Sequence, residues 1–230
     1  MQSAPLRSVF RPQLTCLRDF AEIVKQQCSI GGPLSEADLR LGFTVALHRT
    51  AGIPLHCMSL ESRYYEHHQL KLDLAVRAHG AYYCAAEFKM QVSERRHRRN
   101  ALLVLNDLTR LAFANRAWRQ GDLDCPAYFI YLRSEREARA LEAHSRTLGE
   151  MLALPVGKLT DFPTEAWVDT VWNANSHKPW FKDFPLLVKD SPYPHRLICL
   201  ARECLDAYTG ERWELAVFSV LGDPELDRTF

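Results

Sequence analysis

The chain has 230 residues, 47% of them hydrophobic, and a formal net charge of +1. That is enough apolar material for one cored domain, and modest glycine (10) and proline (12) exclude collagen-like and disordered composition. No apolar run approaches the ~18 residues of a membrane helix, and the arginine-bearing start does not resemble a secretory leader. The seven cysteines are irregularly spaced, with no C-x-x-C pair. A soluble, cytoplasmic protein with buried, reduced thiols is expected, Cys84 and Cys199 among them.

Residues 13–27 predict a first helix, with Leu14, Leu17, Phe20, Ile23 and Val24 at helical spacing. Gly31-Gly32-Pro33 breaks it. Ser35 and Asp38 then offer a capping box for a second helix, whose apolar stripe is Leu39, Phe43, Ala46 and Leu47. Segments 54–65, 69–78 and 81–90 read as strands, the last two joined through His79-Gly80. A helix is predicted from about Arg98 to Trp118, a buried strand over 125–133, and one helix from Ser134 towards Leu152. Beyond Leu154 the pattern weakens. "RLICLARECLDAY" fits a strand or a buried helix, and "RWELAVFSVLG", after a turn at Gly210, fits a strand. Trp167, Trp172, Trp180 and Trp213 are expected in the core of this tail. Three sequential strands followed by a helix crossing to a fourth predict an α/β fold with a mixed sheet.

The basic residues are 22 arginines and 7 lysines, and the densest run, Ser93 to Asn100, contains Arg95, Arg96, Arg98 and Arg99. Such a run suits phosphates, although an ordinary solvated face has the same composition.

The stretch "KLDLAVRAHGAYYCAAEFKM" (71–90) sets Asp73, Glu87 and Lys89 inside otherwise apolar strands. Burying charges is costly unless they are paired or hold a metal. Glu87 and Lys89, two apart, share one face of their strand. A two-residue turn at His79-Gly80 would pair Asp73 with Ala86 and put the two acids on opposite faces. A three-residue loop, or a bulge, pairs Asp73 with Glu87 directly. In that arrangement two carboxylates and a lysine converge, which suits Mg²⁺ with several retained waters and metal-assisted hydrolysis of a phosphodiester. A cross-strand salt-bridge cluster is the simpler alternative.

D-x(13)-E-x-K across two strands resembles the signature of the PD-(D/E)XK, or restriction-endonuclease-like, nuclease superfamily. The element order is similar to its α-β-β-β-α-β core over roughly residues 34–133. The resemblance implies such a core within 34–154, preceded by an N-terminal helix (1–33) and followed by a C-terminal elaboration of the same domain (155–230). It implies that Asp73 and Glu87 bind Mg²⁺, or Mn²⁺ as a substitute, with the backbone carbonyl of Phe88. Lys89 would position or activate the attacking water. Glu61, in the preceding strand, is similar to an extra acid of some members, and Glu36, opening the second helix, to an added metal ligand of others. Glu36 is equally explained by the helix dipole. Asp107 and Arg110 would be structural parts of the helix after E-x-K. Leu72 stands where many members carry proline.

The implied function is a Mg²⁺-dependent deoxyribonuclease, with Arg95, Arg96, Arg98 and Arg99 on the DNA backbone. RNA as substrate and a homodimeric assembly stay open, and no membrane partner is expected. The alternative is a non-catalytic nucleic-acid-binding or assembly module on the same fold.

Overall fold

The computed structural model describes residues 14–31, 34–63, 71–78, 81–91, 103–104, 107–108, 110–111, 114, 126–144, 146–161, 196–208 and 210–221. Its elements run α1 (Leu14–Ser29), α2 (Glu36–Ala51), β1 (Met58–Arg63), β2 (Lys71–Ala78), β3 (Ala81–Gln91), β4 (Ala127–Ser134), α3 (Glu135–His144), α4 (Arg146–Leu152), β5 (Leu159–Asp161), β6 (Arg196–Tyr208) and β7 (Glu211–Leu221). Residues 103–114, where described, are helical as well. No described helix is long and apolar enough to cross a membrane.

All the strands form one mixed sheet in the order β1-β2-β3-β4-β7-β6-β5. The β3–β4 pair is parallel and every other pair is antiparallel. A parallel pair needs a crossover connection, and the helical residues between 103 and 114 lie in it.

The pattern of β4 shows why it is central. All eight of its residues are buried. Tyr128, Ile130 and Leu132 pack in one cluster with Phe20 of α1, Phe43 of α2 and Phe88 of β3. Phe129 and Tyr131 pack on the other side with Leu108, Leu111, Leu148 and Phe218. A strand covered on both faces reads as a continuous apolar run for this reason.

The capping box at Ser35 forms as expected, with the Asp38 carboxylate accepting from the Ser35 backbone N–H at 2.8 Å. Two expectations need correcting, and one ambiguity is resolved. The first strand begins at Met58, because Leu55–Cys57 form a 3₁₀ turn after Pro54. The single helix expected over 134–152 is two helices. They approach closely where α4 carries Gly149, since a Cβ there would stand 2.8 Å from the Glu142 Cα of α3. The ambiguous segment "RLICLARECLDAY" is a strand, hairpinned to β7 around Gly210 at φ 78°. Strands β5 to β7 thus complete the same sheet, and Trp213 is buried in it. Trp167, Trp172 and Trp180 lie outside the described residues.

Cys84 and Cys199 are buried, as their apolar settings led one to expect. Burial pushes the Cys199 thiol up.

Candidate active site where the β2–β3 ladder opens

The register of the β2–β3 hairpin decides whether the acids meet. Ala78 pairs with Ala81, which closes the hairpin across two residues. Between Val76↔Cys84 and Arg77↔Tyr82 the register then shifts, with Tyr83 as the extra residue of a bulge. Leu74 therefore opposes Ala86, and the next position sets Asp73 opposite Glu87. Of the two routes open in the sequence, the bulge is the one used.

Leu74↔Ala86 is also the last pair of this ladder, although β2 continues to Lys71 and β3 to Gln91. Beyond it, side-chain carboxylates replace the strand partner. Asp73 Oδ2 accepts from the Phe88 N–H at 2.9 Å. Glu36 Oε1, from the first turn of α2, accepts from the Met90 N–H at 3.2 Å. The N–H and C=O of one strand residue face the same edge, so the Phe88 carbonyl faces the Asp73 side too.

Glu87 is 1% exposed. Its Oε2 accepts from Arg110 at 3.2 Å. Its approach to the Asp73 carboxyl is a hydrogen bond only when one of the two acids carries a proton. As a carboxylate, Glu87 keeps Oε1 buried with no donor among the described residues. Burial raises the Glu87 carboxyl well above its ordinary range, Arg110 opposes this, and Asp107 and Asp73 add to the rise.

Asp107 and Arg110 stand one helical turn apart on the crossover. Arg110 donates to Asp107 at 2.5 Å and to the Lys71 carbonyl at 2.8 Å. Asp107 is also buried, which pushes its carboxyl up against the pull of Arg110 and Lys89. Lys89 lies 3.1 Å from Glu36 and 3.7 Å from Asp107. Burial works against its charge, but Asp107 and Glu36 outweigh this and raise its pKa. Lys89 is therefore an ammonium at neutral pH.

Glu61 sits further out, with a side chain 59% exposed and backbone φ of 48°. It accepts from Lys71 at 3.2 Å and lies 3.7 Å from Arg40. Arg40 also lies 3.8 Å from Asp73, and so links Glu61 to the pair.

The fold thus brings Asp73, Glu87, Lys89 and Glu36 together, and Glu61 joins only through Arg40. Arg95, Arg96, Arg98 and Arg99 lie outside the described residues. Among the described residues no three His, Cys, Asp or Glu side chains form a metal group; Asp73 and Glu87 supply two carboxylates. Sequence reasoning did not place Arg40 at the site. The available signal was its spacing, four residues after Glu36 and so on the same face of α2.

The buried acid predicts a pH effect. Unfolded Glu87 titrates near 4.5, while the folded protein holds its proton to higher pH. Above that value the folded state binds more protons than the unfolded state, so stability from this group falls as pH rises, until Glu87 ionises. Glu87→Gln is expected to gain stability relative to wild type between pH 4.5 and neutrality. Thermal melts of both proteins in chelator check this, and parallel pH profiles would contradict it.

Compared with protein-family models, curated proteins and solved structures, the chain matches none, so a functional reading rests on the residues and geometry above.

Proposed function

We propose that this chain is a Mg²⁺-dependent nuclease that hydrolyses DNA phosphodiester bonds on a restriction-endonuclease-like core. The observation that carries the reading is the opened ladder. Two carboxylates face each other where strand pairing stops, and one of them is buried with an oxygen that has no hydrogen-bond partner among the described residues. Burying such a group is costly, and a hard cation would satisfy it. The order α2, β1, β2, β3, helical crossover, β4 supports the fold assignment.

The donor set fits Mg²⁺, which takes few protein carboxylates and keeps waters. Asp73, Glu87 and the Phe88 carbonyl would hold it, while Glu36 is engaged by Lys89 and the Met90 N–H. When bound, the metal supplies Lewis-acid polarisation of the phosphate and an acidified water.

The chain's own residues do the rest. Lys89 is held by Glu36 and Asp107 beside the acid pair. As an ammonium it orients the attacking water and offsets charge building on the phosphate; it does not take the proton. Arg110 holds Glu87 in place and compensates part of its burial. Glu61, exposed and paired to Lys71, shapes the rim.

One observation favours the second reading, a non-catalytic module. Lys89 and Arg110 are both already engaged by carboxylates, as in a structural charge cluster. Metal binding separates the two. Calorimetric titration with Mn²⁺ is expected to show binding to wild type that is lost in Asp73→Ala. No heat with wild type, and only a lowered melting temperature in Asp73→Ala, would favour the structural cluster.

A further inference from the structure

We propose that Arg40 contacts the scissile phosphate of the bound strand. This deepens the nuclease reading and rests on it. Arg40 lies on α2 with its side chain 16% exposed, 3.8 Å from Asp73 and 3.7 Å from Glu61. Both separations exceed hydrogen-bond length. Its Nε is buried without a partner among the described residues. A guanidinium carries five donors in a rigid fork, and burying them unmet is unfavourable.

The acid pair is thus flanked by two arginines in different states. Arg110, beside Glu87, commits both terminal nitrogens to contacts of 2.5, 2.8 and 3.2 Å. Arg40, beside Asp73, makes only long ion pairs among the described residues and has donors to give. A phosphodiester reaching Asp73 and Glu87 meets a field of carboxylates, and among the described residues Arg40 is the cation with unspent donors on the Asp73 side. The two non-bridging oxygens of a phosphate match its fork. A simple counter-ion for Asp73 would instead close to about 2.8 Å.

The test is salt-dependent binding of a short labelled DNA duplex, measured with Mg²⁺ in a Lys89→Ala background that blocks cleavage. Single-turnover cleavage by the corresponding single variants accompanies it. Arg40→Ala is expected to make the slope of log K against log salt shallower by about 0.9, the loss of one phosphate contact. Cleavage should fall about tenfold or more. Arg40→Lys should restore the slope but not the full rate, since an ammonium lacks the fork. Arg40→Gln, which keeps much of the buried stem and adds no charge, serves if the alanine variant does not fold. Cleavage by wild type with an unchanged slope in Arg40→Ala or Arg40→Gln would overturn the phosphate contact and leave the nuclease standing. No cleavage by wild type, and no binding, would overturn both.

Discussion

Replacing Lys89 by alanine is expected to slow metal-dependent DNA cleavage by about 10²–10³-fold while the protein stays folded. The first half follows from its place beside the acid pair and its retained charge. The second follows from what its partners keep. Asp107 retains Arg110 at 2.5 Å, and Glu36, partly exposed, retains the Met90 N–H at 3.2 Å. No buried carboxylate is left without a donor by this change. Single-turnover cleavage alongside a thermal melt checks both halves. An unchanged rate would remove Lys89 from the chemistry, and an unfolded variant would make it a structural residue.

Arg110→Ala is expected to do the opposite, damaging the fold before the chemistry. Glu87 and Asp107 are both buried, and Arg110 is the one guanidinium that meets both of them among the described residues. Breaking a buried pair by removing one partner costs about 3–5 kcal/mol. The link to the Lys71 carbonyl, 2.8 Å long, is lost as well. Urea unfolding measures the loss, which should grow as pH rises and the two acids ionise. A change below about 1 kcal/mol, the range of an exposed pair, would mean that Arg110 is not the buried counter-charge.

Much of this was legible from the chain. Helical spacing located α1 and α2, and the Ser35–Asp38 box fixed where α2 starts, because a cap is a local interaction. Alternation and apolar runs located β2, β3 and β4, as the sheet is covered on both faces. The three charges at 73, 87 and 89 stood out because apolar flanks leave little room for a solvated explanation. Their convergence was conditional on one odd residue, and the sequence did not say where it was. The bulge at Tyr83 adds one residue between two pairs of the ladder, and no local pattern in the sequence marks that position.

The rest was hidden for a different reason. The opened ladder is a relation between three elements: β2, β3 and the first turn of α2. The Glu36 contact to Met90 spans 54 residues. Arg40 and Arg110 reach the acids from separate helices, and long side chains reveal their partners only once those helices are placed. The β6 segment was ambiguous because short apolar runs fit a buried strand and a buried helix alike, and pairing with β7 decided it.

The most direct test of the central claim is incubation of the purified protein with supercoiled plasmid and with linear single- and double-stranded DNA. Mg²⁺, Mn²⁺ and chelator are compared, beside Lys89→Ala. The account predicts cleavage by wild type with either metal, none in chelator, and a deep loss in a folded Lys89→Ala protein. No cleavage of any substrate with either metal, by a wild-type protein shown to be folded, would contradict it.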